Sequence, residues 1–480
     1  MAGGAATAEG SPPPRKGTKQ AVVLIHGMGE QIPMETLKGF VETVWTQDPG
    51  VARPGAGPPN GAWSKPDTRT GSLELRRFTT QDSRASGGFP RGVRTDFYEL
   101  YWADLTAGST WDQFTGWVQG LLFRTWKNTP KDVRLAWVGL WIASLFVLVL
   151  GLAGLVPGET WECWFPCVPQ KVVVAAAAAL LAVLHRFASK TFGRVVRYTR
   201  ADPDNIAARA AVRERGLNLL RALHADDDYA RVVVVGHSLG TILAYDLVSY
   251  FWAEQAAART LTEGSPTFAA LKAVDQASAT LAASPSDANR AAFLAAQAGL
   301  HRAMAAQTPV AGQPGSRWLI SDLVTLGSPL THAEFLLSKG EADLEKRKDQ
   351  RELPSSPPVR ETLTKTVLAK AVRAGLVAPD ASEPTLSVYP PGPPETWSLH
   401  HAAPFAAVRW TNVYDPAHWV IMGDQISGPL RGAFGQGIVD IDLSAGDKPS
   451  RGFTHTRYWD LKQSPKRLET VRKAVNLLDD

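Results

Sequence analysis

Apolar and polar positions divide this chain into short buried strands, amphipathic helices and one long apolar interruption. Gln20–Ile25 (QAVVLI) has the length and composition of a strand. Val232–Val235, four valines in a row, predict a strand buried on both faces, as in a parallel sheet. Further strands are predicted over 73–78, Asp96–Trp102, Leu323–Leu326 and Val408–Tyr414. In the second of these, DFYELYW, the aromatics suit a pleated surface. Asn205–Leu223 has apolar residues at helical spacing (Ile206, Ala210, Leu217, Leu220) with arginines between them, predicting a helix that feeds the valine strand. Ile242, Leu243, Tyr245 and Leu247 start another helix, and Arg467–Leu478 predicts a last amphipathic one. Strands alternating with helices predict an α/β fold with a mostly parallel, doubly wound sheet. The Ala-rich stretch 252–315 predicts helices, expected as a cap over the site. Residues 48–70, 339–365 and 389–394 are rich in Pro, Gly or charge and are expected as exposed loops.

The interruption lies between the early and late strands. Leu135–Val156 is 22 residues without a charge. At 1.5 Å per residue a helix of that length reaches about 33 Å, enough for a bilayer core. Val172–Leu184 has 13 apolar residues, about 20 Å, which is short of a full span. Tilt, a re-entrant path, an interfacial position or snorkelling by Lys171 and Arg186 are open for it. Arg124, Lys127, Lys131 and Arg134 precede the first run, and Arg186, Lys190, Arg194 and Arg197 follow the second, while the connection holds Glu159 and Glu162. Basic flanks on both outer sides predict a hairpin with both ends cytoplasmic. Trp117, Trp126, Trp137, Trp141, Trp161 and Trp164 sit where interfacial belts use tryptophan. The expected organisation is a disordered leader over 1–18, a first part of the catalytic domain over 19–130, a membrane hairpin over 131–190, and the remainder over 191–480. The expected location is the inner (cytoplasmic) membrane, with the catalytic domain on the cytoplasmic side. Residues 1–18 lack the apolar core of a signal peptide.

Composition narrows the function classes. A net charge of +5 with 20% charged residues, and no basic stripe interleaved with aromatics, argues against nucleic acid. Sixteen tryptophans and 44% hydrophobic residues fit a large core, a membrane, or both. Cys163 and Cys167 have no neighbouring histidine to complete a zinc site and are expected as idle thiols. No metal and no cofactor are expected.

The chemistry sits at the end of the valine strand. Gly236-His237-Ser238-Leu239-Gly240 fits G-x-S-x-G between a strand and a helix, the context of a nucleophile elbow. The turn strains the serine and lifts its hydroxyl above the sheet. The glycines are needed because a Cβ there would strike the neighbouring strand or helix. A serine nucleophile needs a base and an orienting acid, in the order Ser, Asp/Glu, His for this fold. Asp415 follows the Val408 strand, Asp424 comes nine positions later, and His455 lies in a short loop before the last helix. Ser238 is the expected nucleophile and His455 the base, with Asp415 and Asp424 both open as the acid. Leu239 N–H, next after the nucleophile, is the first oxyanion donor. His26 is expected to brace the loop after the first strand and His237 to pack inside the elbow. His332 and His418 do not follow both acids, so neither fits the base.

The pieces HGMGEQ, GHSLG, VTLGSPL, WTNVYDP, GDQISGPL and FTHTRYW together resemble serine-dependent α/β hydrolases of the lipase/esterase type, in a membrane-associated bacterial branch. The resemblance covers about 19–105 and 195–475 and leaves out the apolar hairpin and 252–315. It implies the α/β-hydrolase fold and an acyl-enzyme. It also implies Met28 N–H, in HGMG, as the second oxyanion donor. It favours Asp424, in D-x-I-S-G-P-L, as the acid, with Asp415 the runner-up. The implied activity is cleavage of a carboxylic ester of a lipid or other apolar acyl substrate by a membrane-anchored enzyme. An acyltransferase on the same scaffold shares the first half-reaction. An inert membrane-tethered scaffold is the reading from another class.

Overall fold

The computed structural model describes residues 19–27, 32–106 apart from 54, 56, 72 and 73, scattered positions from 138 to 198, and 203–480 apart from short gaps at 257–259, 308–316, 381–384, 390–395, 418–421, 425 and 451. Eight strands form one sheet. They are β1 (Lys19–Ile25), β2 (Ala62–Lys65), β3 (Arg77–Asp82), β4 (Arg94–Leu100), β5 (Tyr229–His237), β6 (Ile320–Leu326), β7 (Arg409–Tyr414) and β8 (Val439–Asp442). Their order is β8-β7-β6-β5-β1-β4-β3-β2. β4, β1, β5, β6, β7 and β8 pair in parallel, and β3 pairs antiparallel with both β4 and β2. The α/β class with a mostly parallel sheet is therefore present.

The valine run explains why β5 is central. Val232–Val235 are at most 1% exposed and face neighbours on both sides. In register, Val235 lies opposite Leu24 of β1 and Val324 of β6. Burying each such side chain contributes about 1.5–3 kcal/mol. One face of the sheet is covered by α2 (Pro203–Ala225), α3 (Leu239–Ala256) and α5 (Asp287–Ala305), the last packed against α4 (Pro266–Ala283), and their apolar residues join Val232 and Val234 in one core. The other face is covered by α1 (Glu35–Val41) and α6 (Pro465–Val475), which pack on Val22, Leu24, Val233 and Val235. After β1 the chain runs to the edge strand β2, works inward through β3 to β4 beside β1, then crosses to β5 on the other side of β1. The loops after β1 and β5 thus diverge from neighbouring strands at their carboxyl ends, where open α/β sheets form a crevice.

Several expectations need correction. The strand expected over 73–78 is β3 at Arg77–Asp82, whose polar RFTTQD alternates beside the short edge strand β2. β2 itself lies in a stretch expected as loop, and β8 was not expected. Residues 351–356, expected exposed, are buried except Glu352. Their backbone is paired: Pro354 O accepts from Tyr245 Oη at 2.8 Å, and Ser356 exchanges hydrogen bonds with Phe434 and Gly437. Within 252–315, Pro266–Ala283 and Asp287–Ala305 are helical while Thr260–Thr262 form a short strand paired with Thr396–Ser398, and α5 lies beside the sheet at the starts of β6 and β7 instead of over its carboxyl edge. Gln297 of α5 donates to the carbonyls of Phe405 and Val408 just before β7, and His301 lies 3.3 Å from Leu319 O just before β6. Phe293, Leu300 and Met304 are buried there because their spacing gives α5 one apolar stripe.

Most of 131–190, with Cys163 and Cys167, lies outside the described residues. Among those described, Trp141, Ile142, Leu145, Phe146, Leu148, Val149 and Leu152 are helical and exposed. No helix among the described residues is long and apolar enough to cross a membrane. The two roots of this insertion meet. Arg215 of α2 holds Asp104 and the Tyr101 carbonyl, and the Tyr198 ring lies 6.2 Å from that of Trp102. The chain therefore leaves after β4 and returns to α2 at one place.

At the opposite edge of the sheet a buried ion network ties four strands. Arg231 of β5 reaches Asp322 of β6 at 2.5 Å, Ser321, Gln20 of β1 and Asn476 O, and Arg409 of β7 reaches Asp322 at 2.6 Å. Arg231 and Asp322 are 2% and 1% exposed at their side chains. Burial works to raise the Asp322 pKa, but Arg231, Arg409 and Ser321 outweigh it and hold the carboxyl well below its ordinary value. The stability this contributes is complete above the unfolded carboxylate pKa of about 3.9 and is lost as pH falls toward the depressed folded value. Asp322→Asn should cost about 3 kcal/mol in urea unfolding at pH 7, because it leaves buried Arg231 with only the more exposed Asp479 carboxylate, 3.6 Å away. The variant should also lose less stability than the parent between pH 5 and pH 3.

Candidate active site

Ser238 follows β5 directly and has φ 54°, in the left-handed region that a serine adopts only under constraint. Such strain costs about 1–3 kcal/mol and persists where neighbours over-determine it. Here they do. Ser238 N–H donates to Leu326 O at 3.0 Å, and Ser238 O accepts from Thr241 N–H at 2.9 Å and Thr241 Oγ1 at 2.7 Å. The glycines meet the expected steric need. A Cβ on Gly236 would lie 2.7 Å from Gly240 O and Thr241 Cα, and one on Gly240 would lie 2.3 Å from Ile25 O. The first glycine lets β5 turn into α3, and the second lets α3 start against the backbone of β1.

The structure brings three of the expected residues into one hydrogen-bonded line. Ser238 Oγ is 2.7 Å from His455 Nε2, and His455 Nδ1 is 2.9 Å from Asp424 Oδ2. Ser238, His455 and Asp424 are 2%, 5% and 0% exposed. Asp424 Oδ2 also accepts from Tyr458 Oη at 2.8 Å, and Oδ1 accepts from Ile426 N–H at 2.9 Å. Burial raises the Asp424 pKa, but the hydrogen bond and charge of His455, with Tyr458 and Ile426 N–H, more than offset it. The carboxyl lies below its ordinary value and is ionised at neutral pH. An ionised acceptor at Nδ1 fixes the proton there and leaves Nε2 free to accept the serine proton.

Two loops converge to make this line. The first runs from β7 through Asp415 to Asp424, the second through Phe453 to Trp459. Gly423 N–H donates to Gly452 O at 3.0 Å and Thr454 N–H to Gly423 O at 3.2 Å, a parallel bridge that sets Asp424 beside His455. Gly423 has φ 85°, and a Cβ there would lie 2.3 Å from Pro416 O. Asp415 is not on the His455 ring. Its Oδ2 accepts from Ser450 Oγ, from Thr454 Oγ1 at 2.7 Å and from Arg467 Nη1 at 3.1 Å. Its backbone carbonyl accepts Asp424 N–H at 3.0 Å. Asp415 thus anchors both loops to α6, which corrects its reading as a possible triad acid: it sits one residue past the strand, behind the line that Asp424 completes.

The oxyanion donors are described in part. Leu239 opens α3, so its N–H is one of those a helix leaves without an internal acceptor. Met28 lies outside the described residues. Its neighbour Gly27 lies against Ser238: a Cβ on Gly27 would be 2.8 Å from Ser238 Cβ. His26 braces this turn as expected. Trp102 N–H donates to its Nε2 at 3.3 Å, which leaves Nδ1 to donate to Gly27 O at 2.8 Å, and the Trp102 ring stacks on it at 5.3 Å. Met34 N–H, where the same loop returns, donates to buried Glu99 at 2.7 Å. Burial, opposed by that N–H, lifts the Glu99 pKa to about 7. His332 ends the turn Pro329–His332, and His418 lies outside the described residues.

Sequence reasoning missed Tyr458, Thr241 and the contact made by His237, whose Nε2 lies 2.7 Å from His455 O. Tyr458, three residues past His455 in FTHTRYW, carried the one available signal. Among the described residues no group of three or more His, Cys, Asp or Glu side chains is gathered to share a metal ion. Comparison with known proteins adds no relative, since no family model, curated protein or solved structure matches the chain.

The division of roles between the two aspartates is testable by stability alone. Asp415→Asn should lower the urea unfolding free energy by about 3 kcal/mol, because Arg467, 4% exposed at its side chain, would keep only Asp447, 3.5 Å away, as a carboxylate partner. Asp424→Asn, which strands no buried arginine, should cost less than half as much.

Proposed function

We propose that this chain is a membrane-anchored serine hydrolase of the α/β-hydrolase type, which cleaves a carboxylic ester of a lipid or other apolar acyl substrate. The hydrogen-bonded line from Ser238 through His455 to ionised Asp424 carries this reading. It joins a strained serine to a base of fixed tautomer, which is what activates a hydroxyl as a nucleophile.

In the first half-reaction Ser238 Oγ attacks the ester carbonyl carbon as His455 Nε2 takes the serine proton. The carbonyl oxygen gains negative charge, and Leu239 N–H faces it, with Met28 N–H the expected second donor. Asp424 stabilises the imidazolium. The tetrahedral intermediate collapses, its C–O bond to the alcohol breaks, and His455 protonates the departing oxygen. In the second half, water loses a proton to His455 Nε2 and attacks the acyl-enzyme. Collapse returns that proton to Ser238 Oγ and releases the carboxylic acid. No external oxidant or cofactor enters this balance.

The membrane reading is supported by the 22-residue uncharged run, its basic flanks and the exposed apolar helical residues within it. The insertion's roots at Asp104 and Tyr198 also lie on one side of the sheet, so both ends of a hairpin meet the same domain. A single crossing would separate β1 from β5, which are paired strands.

A fluorophosphonate probe should label the wild-type protein, and Ser238→Ala should abolish labelling while leaving the unfolding transition intact. Equal labelling of the variant would overturn the nucleophile assignment. Asp424→Asn should lower turnover of a p-nitrophenyl ester by about 10⁴-fold, since the amide holds the wrong imidazole tautomer. For the hairpin, Cys163 and Cys167 are replaced by Ser and single cysteines introduced near 160 or 60. Labelling from outside intact cells is expected near 160 only, and equal protection of both sites would remove the crossing.

A further inference from the structure

The residue before the nucleophile has a partner that the proposed chemistry does not use. His237 is buried, and its Nε2 lies 2.7 Å from the backbone carbonyl oxygen of His455. A carbonyl oxygen has no proton to give, so Nε2–H is the donor. Two adjacent residues of the elbow therefore grip one residue of the opposite loop. Ser238 Oγ meets the His455 side chain at Nε2, and His237 meets its backbone.

The surroundings fix the His237 ring. Trp459 stands edge-on to it at 4.8 Å and 78°, and the Trp459 carbonyl is itself held by Thr43 Oγ1 at 2.6 Å. The His455 ring lies 5.3 Å from that of His237. Of the titratable groups that act on His237, His455 and His26 disfavour its charge and Asp424 favours it, but burial dominates and pushes its pKa down to about 3. A neutral ring here keeps a second cation away from the imidazolium that His455 becomes during turnover.

We infer that His237 is a positioning residue for the base: its Nε2–H holds the His455 backbone at the elbow and so sets the distance between nucleophile and base from the nucleophile's own side. The loop that carries His455 is tied at Thr454 to Gly423 and Asp415. Those ties orient the base toward its acid. Only the His237 bond, beside the Ser238–His455 bond itself, ties it to the strand that ends in the serine among the hydrogen bonds described. Displacement of a reacting group by about 1 Å can cost about 10²-fold in rate, so a lost tie is visible in turnover.

This inference rests on the hydrolase reading, and the experiment separates the two. His237→Leu keeps bulk and removes the donor, while His237→Gln puts an amide N–H at similar reach. Active sites are titrated with fluorophosphonate, and kcat and KM are measured per titrated site with p-nitrophenyl butyrate. The Leu variant should lose about 10–100-fold in kcat with KM changed less than about threefold, and the Gln variant should recover most of the loss. A purely structural role would lower the number of titrated sites and leave kcat per site alone. Wild-type-like kcat in the Leu variant, or a Gln variant as slow as Leu, overturns the inference. A wild-type protein that the probe does not label overturns the hydrolase reading instead. If the Leu variant does not fold, ¹⁵N-histidine NMR of the wild-type chain decides: a neutral His237 protonated at Nε2 from pH 5 to 8 is expected, and a cationic ring or a bare Nε2 in that range overturns it.

Discussion

Everything about this site depends on how closely the first turn of α3 approaches the backbone of β1. Gly240 leaves 2.3 Å between an imagined Cβ and Ile25 O, so no side chain fits. That approach forces β5 to end in a left-handed residue, and the residue there is Ser238. The same closeness puts Gly27 against the serine, so the loop after β1 and the elbow after β5 share one surface. Neighbouring strands of a parallel sheet supply this only where the chain turns back on itself, between β1 and β5. The central position of β5 is in turn a matter of its valines, which are buried on both faces.

The opposite wall of the site is built from chain far away in sequence. Asp415 and Asp424 are nine residues apart and do different work. Asp415 is a structural carboxylate whose Oδ2 is held by Arg467 and two hydroxyls, and it pins the loops to α6. Asp424 spends its contacts on His455, Tyr458 and Ile426 N–H, which keep it ionised beside the imidazole. Gly327, with φ 62°, leaves room for this: a Cβ there would lie 2.8 Å from the Tyr458 ring and 3.2 Å from Asp424 Oδ2. The LGSP turn after β6 is therefore a clearance for Asp424 and Tyr458.

What could be read in the sequence follows what is local. The valine run, the glycines around Ser238 and the helix after it are short-range features, and all three stand where their composition requires. The separation of Asp424 from Asp415 could not be derived from position, since Asp415 sits closer to its strand. The bridge at Gly423 decides it, and that bridge joins segments about thirty residues apart. The role of 252–315 was misread because alanine-rich helices fit a lid and a flanking layer equally well. Only the partners of Gln297 and His301 distinguish the two. β8 escaped notice because VDID has too few apolar residues to look like a strand, and it is held at the sheet edge by pairing with β7.

The placement of Ser238 at the end of β5 has a bearing on how the molecule comes apart. Segments open independently when few buried contacts hold them, and the most protected ones open only with the whole fold. β5 is hydrogen-bonded on both sides, to β1 and β6, and it carries the buried Arg231 at its start. Ser238 thus sits at the end of one of the best-held strands, whereas His455 rides on a loop outside the sheet. Partial opening would separate His455 from Ser238 before it disturbed the serine itself, and the hydrogen-bonded line would be lost while most of the sheet was still intact.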